Sequence, residues 1–420
     1  MKRITILCFI ALLLLMSCTS TAKPPTYQEI MEQHPSQSAE GTAPREEQDD
    51  QGAENSADPA AAEKAKLKEE HSKAVAAILS ENRDAVFAET VYGPQTAVLC
   101  DGGIYLYTGG SIRLLNRRTG LLQGLCSDPL CRHDSCIESY HIYSMVSDDD
   151  RLYFKGNSTT YNGFSAQKWD SVSFVASYDP ESDEFEMLDV WEKDRGSIST
   201  VIGLDVGSLY YTKKTDEDTN SLYRIPVSGG RAERLTPKGE FVQNFSVGPD
   251  RIYYTTQEYT LKSMNKSGDD VFELEQFICM TGFKGEDFYA ISAKDEDGFA
   301  IFRNGEILPF RVFAPTWVSL TESAVWYTVP DKRSLGTYVD ETGKTITIRT
   351  DNGTAFYGYD PSTGKITEFD CPFAYGVREF CGSIGNYLLI GALTEERGFS
   401  FWIFDPSDMS KAYQLFDYES

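Results

Sequence analysis

The sequence predicts an all-β body over residues 85–420, and two observations predict it. Helical periodicity stops near residue 85. From there short apolar-aromatic runs alternate with Gly, Asp, Asn and Pro turns, as expected of many short strands. One unit, an acidic or glycine turn followed by a strand rich in Tyr and Phe, then recurs along the whole body.

Copies of that unit run through Asp101–Tyr107, Asp149–Phe154, Val206–Tyr211, Gly248–Tyr254, Lys284–Tyr289, Thr321–Tyr327 and Ile384–Leu389. The apolar residue after each turn (Ile104, Leu152, Leu209, Ile252, Phe288, Val325, Leu388) recurs on average about every 47 residues, inside the ~40–50 range of propeller blades. A second unit, strand–tight turn–strand, follows each first one. It is seen at Leu114–Leu122, Ser177–Phe185, Tyr223–Arg231, Ser263–Gly268, Phe302–Ile307, Tyr357–Ile366 and Ile403–Asp408. Asp-Pro and Asn-Gly make these turns because Pro presets φ and Gly or Asn accepts positive φ. Seven of each unit predict a seven-bladed β-propeller of four-stranded blades. Six or eight blades are the alternatives, because the sixth is long and the first begins ambiguously.

Ahead of the body, Met1-Lys2-Arg3 precedes an apolar run from Ile4 to Met16, shorter than the ~20 residues a membrane-spanning helix needs. Residues 1–17 therefore read as an export signal. The ending Leu15-Met16-Ser17-Cys18 resembles the bacterial lipobox, which implies diacylation of Cys18 and a lipid anchor on the extracytoplasmic side of the cell membrane. Residues 18–60 are rich in Ser, Thr, Ala, Pro, Gln, Glu and Asp and carry one aromatic, Tyr27. Such a stretch buries too little apolar surface to offset its ordering entropy, so a disordered acidic tether is expected. Residues 61–84 turn helical in composition. Their Val75, Ile78 and Leu79 form one apolar stripe, and a frayed, solvated helix is the expectation.

The formal charge is -25, of which -20 belongs to residues 85–420. That excludes nucleic acid as a partner, since phosphate binding needs surplus Lys and Arg.

The architecture resembles the β-propeller lipoproteins of Gram-positive gut anaerobes. It is more distantly similar to propellers with YVTN- or PQQ-like repeats and a Tyr-Asp-x-x-Thr-Gly-Lys blade turn, here Tyr359–Lys365. The resemblance spans roughly 85–420 and implies a fold, but no catalytic residues.

In an antiparallel A-B-C-D blade the A–B and C–D turns share one end, and the B–C turns and blade-to-blade links share the other. The long inserts near 156–171 and 330–353 both fall at the B–C end. Insertions confined to one face mark a binding face. The first insert is polar with aromatics, and Tyr161, Phe164 and Trp169 are its candidate ligand contacts, suited to a glycan or peptide. Trp326 and Trp402 sit inside strand patterns and read as inter-blade core.

Cys126, Cys131, His133 and Cys136 fall within eleven residues. Three thiolates and an imidazole suffice for a zinc site, but the spacing matches no common zinc module, and a disulfide suits an exported protein better. A similar Cys-x-Asp-Pro-Leu-Cys-x-His segment in the lipoproteins named above implies a shared structural role. Cys279 reads as an inert core thiol. A bridge between Cys371 and Cys381, or from Cys100 into the cluster, is a weaker option.

Only four His occur, two of them ahead of residue 85. There is no Gly-x-Ser-x-Gly, P-loop or His-Glu-x-x-His pattern. The expected function is a surface-anchored, non-catalytic module binding a glycan, a peptide or an envelope protein. The alternative is a glycan- or peptidoglycan-acting hydrolase or lyase whose carboxylates meet at the propeller axis. Alkylation with mass analysis should find the 126–136 thiols oxidised and metal-free. A stoichiometric metal lost in Cys131→Ser would assign them to zinc instead.

Overall fold

The computed structural model describes residues 59–418 apart from 92–94, 109–110, 127–136, 138–139, 149, 160–170, 193–201, 215–218, 293–298, 313–316, 329–333, 340–344, 350–353 and 395–397. Seven antiparallel sheets form a seven-bladed propeller. Written A to D from the axis outward, blade 1 is Ala97–Cys100, Gly103–Thr108, Ser111–Leu115 and Leu122–Gly124. Blade 2 is Tyr140–Ser147, Leu152–Thr159, Ser171–Asp179 and Glu184–Glu192. Blade 3 is Ile202–Asp205, Ser208–Lys214, Asn220–Pro226 and Glu233–Arg234. Blade 4 is Val242–Val247, Arg251–Thr256, Thr260–Asn265 and Phe272–Gln276. Blade 5 is Ile278–Lys284, Asp287–Ser292, Phe299–Arg303 and Glu306–Val312. Blade 6 is Val318–Leu320, Val325–Thr328, Ala355–Asp360 and Lys365–Asp370. Blade 7 is Gly376–Ile384, Tyr387–Leu393, Phe399–Asp405 and Asp408–Gln414.

The first repeated unit is thus the A–B turn with strand B, and the second is the C–D hairpin. The C–D turns share a mechanism. Asn116, Asp179, Asn265, Asp360 and Asp405 each accept backbone N–H bonds from residues two to four positions on. Four such bonds from Ser362 and Thr363, hydroxyls included, hold the Asp360 carboxyl down at about 2.

The aromatics of strand B wedge the blades apart and together. Tyr153, Tyr210, Tyr211 and Tyr254 are fully buried between neighbouring sheets. Phe310 stacks on Tyr327 between blades 5 and 6 at 4.0 Å, and Trp326 on Phe380 between blades 6 and 7 at 3.8 Å. Each such side chain contributes about 1.5–3 kcal/mol by burial alone.

Residues 59–91 depart from the sequence expectation. Helix α1 (Pro59–Glu81) is docked, not solvated: Val75, Ile78 and Leu79 are buried with Ile104, Leu115 and Leu122 of blade 1 and Ile384, Phe401 and Ile403 of blade 7. The composition showed the stripe but not the seam waiting for it. His71 accepts the Gln414 N–H at 2.8 Å, its ring edge-on to Tyr413. Gly120, at φ +67, must be glycine because a Cβ there would lie 2.1 Å from the Ser72 carbonyl oxygen of the helix.

After α1 the chain enters the axis. Strand β1 (Ala85–Phe87) pairs with the inner edge of blade 7 and β2 (Glu89–Thr90) with that of blade 6. The backbone comes so close that a Cβ on Gly382 would lie 2.2 Å from the Val86 carbonyl oxygen. Residues 85–420 are therefore not all blade: blade 1 starts at Ala97, and 85–91 is an axial strap. At the other terminus Leu122 of blade 1 is held by Phe416 and Tyr418 through backbone bonds of 2.9 and 2.7 Å.

Leu79→Ala should cost about 2–5 kcal/mol in denaturant unfolding and accelerate tryptic cleavage after the exposed Arg83. A wild-type stability and cleavage rate would mean that α1 does not close the seam.

Candidate functional site

The two ends of the propeller are built differently. At the A–B end, turns and C–D hairpins have two to six residues. At the other end, the B–C connections are 109–110, 160–170, 215–219, 257–259, 293–298, 329–354 and 394–398, and the link from blade 1 to blade 2 spans 125–139. Connection 329–354 carries its own two-stranded ribbon, Ser334–Val339 against Thr345–Arg349, which joins no blade among the described residues. The expectation that insertions gather at one end therefore agrees with the strand order. The other end is the one at which α1 packs and the strap enters the axis.

Most of the residues singled out in the sequence fall elsewhere. Tyr161, Phe164 and Trp169, as well as Cys18, Cys131, His133 and Cys136, lie outside the described residues. Cys126 is half-buried just beyond the outer strand of blade 1. Cys100, Cys279, Cys371 and Cys381 are buried thiols in no disulfide, which rules out the Cys371–Cys381 bridge and a Cys100 pairing. Desolvation pushes Cys100 and Cys279 up to about 12, so both stay protonated. Trp326 is inter-blade core as expected. Trp402 also packs against the core between blades 6 and 7, 4.9 Å from Phe373, and meets His71 of α1 edge-on.

The axis holds a cavity of about 740 Å³ lined by the inner strands of blades 1 to 6 and by the strap. Its walls are mixed. Val86 and Leu99 expose 52% and 37% of their surface there, while Asn244, Ser246 and Thr281 form a polar rung: the Asn244 side-chain oxygen accepts the Thr281 N–H at 2.9 Å, and Ser246 Oγ donates to Thr281 Oγ1 at 2.9 Å. The carboxylates in the described lining are Glu89 and Glu322. Burial pushes the Glu89 carboxyl up, and Lys284, 3.3 Å away, pulls it back. The acid–base dyad required by the hydrolase alternative thus meets an ion pair at Glu89.

A second polar cluster bridges blades 2 and 3. Trp191, at the B–C end of the outer strand of blade 2, stacks on Tyr211 at 5.5 Å, with the Lys213 ammonium 5.4 Å from its ring centre. Asp189 accepts from both Lys213 (2.9 Å) and Tyr211 (2.5 Å). Desolvation and that carboxylate raise the Tyr211 phenol. The Trp191 indole N–H is buried without a partner. Sequence reading passed over Trp191 because only Trp169 stood in an obvious loop.

A third group sits where blades 7 and 1 meet. Glu379, on the bulged inner strand of blade 7, accepts from Thr96, which leads into blade 1, and lies 3.8 Å from Cys381 Sγ. Desolvation, only partly offset by these bonds, raises its carboxyl to about 7. Nothing in the sequence distinguished it from the other carboxylates.

No family model matches the chain, and no curated protein matches it. The chain is similar in structure to a solved protein described as YCF48 bound to D1 peptide, with 11% sequence identity, 79% of this chain and 96% of that one covered, and a TM-score of 0.43.

Glu379 carries its proton in the folded state up to about pH 7 but releases it near 4.5 when unfolded. Its burial penalty is therefore absent below pH 4.5, grows through the window up to 7, and is constant above it. Glu379→Gln should match wild type in stability at pH 4 and exceed it by about 3 kcal/mol at pH 8. Denaturation curves with no pH-dependent gap would contradict that environment.

Proposed function

We propose that the protein is a binding module displayed outside the cell, anchored through a diacylated Cys18, which recognises a polypeptide or glycan with the B–C end of its propeller. One observation carries this reading: connections longer than six residues occur only at that end. Loop insertion costs little entropy, and α1 packs only on the seam of blades 7 and 1, so short A–B ends on the remaining blades as well point to selection for a surface at the other end. The reading gains support from the occupied state of the opposite end, where α1 and the mouth of the strap take up the seam of blades 7 and 1.

The chemistry on offer at the B–C end is recognition chemistry. The Lys213–Asp189 pair lies partly exposed there, held in place by the buried Trp191–Tyr211 stack beneath it, and paired charges suit hydroxyls or a peptide side chain. Tyr161, Phe164 and Trp169 are proposed to extend that surface from the neighbouring connection of blade 2. The 126–136 cysteines are proposed to staple the link between blades 1 and 2.

Replacing residues 331–352 by Asn-Gly should leave the melting temperature unchanged and abolish binding on peptide and glycan arrays. Retained binding would remove the blade 6 ribbon from the surface. Separately, Cys18→Ala should move the protein from the membrane fraction to the medium. Unaltered membrane retention would refute the lipid anchor without touching the recognition surface.

A further inference from the structure

We propose that the rim of blade 4 is a docking surface for a cationic amphipathic segment of another protein, one in which apolar side chains are interspersed with Lys or Arg. This surface uses none of the long connections and stands whether or not they bind a ligand.

The outer strand of blade 4, Phe272–Gln276, is exposed at every residue. Large apolar side chains crowd there: Val271, Phe272 and Leu274 expose 39–51% of their surface, and Tyr259 and Phe277 at the B–C end expose 42% and 46%. Three other rims differ, and those of blades 2 and 6 expose one large aliphatic residue each, Val190 and Ile366. The outer strand of blade 1 is held by the C-terminal tail, that of blade 3 has two residues, and that of blade 5 buries Leu308, Phe310 and Val312. A contiguous exposed apolar strip on one blade is the feature that marks interaction surfaces.

The backbone adds an independent sign. Tyr259 and Phe277 both adopt left-handed conformations, at φ of 59° and 68°. Aromatic residues rarely adopt that region. The two positions are neighbours, since the Ile278 N–H bonds to the Tyr259 carbonyl at 2.9 Å. They sit in a three-residue turn and a one-residue link, the shortest pair of connections any blade has at this end. Strained and set in short connections, their rings stay 42% and 46% exposed.

Charge selects the occupant. The basic groups of blade 4 are already matched: Arg251 to Asp270 at 2.9 Å, Lys262 to Glu240 at 2.7 Å, Lys266 to Asp205 at 2.5 Å. Glu258, Glu273 and Glu275, interleaved with the apolar strip, are in no ion pair among the described residues. They call for Lys or Arg between the partner's apolar groups. A second copy of the chain fits badly. Antiparallel self-pairing about Leu274 would set Glu273 of each copy against Glu275 of the other, in a chain of charge -25. The strand is also bulged at Leu274, where Leu261 faces Glu275 and Lys262 faces Glu273. A bulge interrupts the outer ladder, so side chains rather than a long backbone ladder must do the recognising.

The test is fluorescence anisotropy of the full chain with a labelled peptide alternating Lys with Phe and Val. Two comparison peptides carry Glu for Lys, or Ser for the apolar residues. The Lys/apolar peptide should bind and the others should not, with affinity falling as salt rises. Leu274→Ser with Phe277→Ser should weaken binding at least tenfold, while Val190→Ser on the blade 2 rim leaves it unchanged. Glu273→Lys with Glu275→Lys should transfer preference to the Glu peptide, and the same reversal at Glu181 and Glu184 on blade 2 should not. Since all these side chains are exposed, melting temperatures should stay at the wild-type value. Absence of binding, equal binding of all three peptides, or indifference to the blade 4 reversal would overturn the proposal. So would concentration-dependent self-association lost in Leu274→Ser, which would give the strip to a second copy.

Discussion

Closure of the ring at the seam between blades 7 and 1 is the constraint on which the rest depends. Blade 1 takes all four strands from residues 97–124 and blade 7 all four from 376–414, so no strand is shared across the join. Every other pair of neighbours is held by chain continuity as well as by packing. Here three non-repeating pieces do the work instead: α1 fills the seam with Val75, Ile78 and Leu79, the strap hydrogen-bonds to the inner edges of blades 6 and 7, and the tail at Phe416–Tyr418 grips the outer strand of blade 1. Axis, face and rim are thus tied once each.

That arrangement explains why the ends of the molecule diverged. The strap enters at Asp84, whose carbonyl is bound by the N–H of Gly385 in an A–B turn, and climbs toward the B–C end, where blade 1 begins. The A–B end carries the closure device and so tolerates little insertion: at Gly120 and Gly382 even one added carbon atom would meet backbone. The B–C end bears no such duty. Long connections accumulate where they do not disturb closure, which makes that end the available one for recognition, and the short connections of blade 4 leave its aromatic rings partly exposed beside them.

The blades were legible because each repeats a local rule. An Asx-type turn and a Tyr-rich strand suffice to place strands B and C, and Asp360, Asp179 and Asn265 do in the structure what turn chemistry predicts. The helix was legible as a helix but not as a wedge. Its stripe of Val75, Ile78 and Leu79 is short, and its complement is assembled from Ile104, Leu115, Ile384 and Phe401, residues that meet only after the ring has closed. The strap was invisible for a related reason. Residues 85–91 are a strand by composition, and nothing local separates a strand that opens a blade from one that pairs with the inner edges of two others. Site residues followed the same division. A loop tryptophan at 169 attracts notice, whereas Trp191 ends a regular strand and becomes distinctive only when Tyr211 and Lys213 of the next blade stand beside it.

The polar groups at the seam show what such closure requires. Gln95 ties the strap to the inner strand of blade 1: its side-chain oxygen accepts the Thr90 N–H, and its amide donates to the carbonyls of Ala88 and Ala97. Beside it Glu379 bonds to Thr96 across the join. Apolar packing already disfavours a slip of the strap, because a one-residue shift turns every side chain to the opposite face. Directional bonds from Gln95 and Glu379 penalise that slip further, since each would be left buried and unsatisfied. A carboxyl placed there is costly when charged, yet as a neutral acid it can both donate and accept. The seam therefore exchanges some stability at high pH for a unique closure, and the strap, α1 and both faces inherit their positions from it.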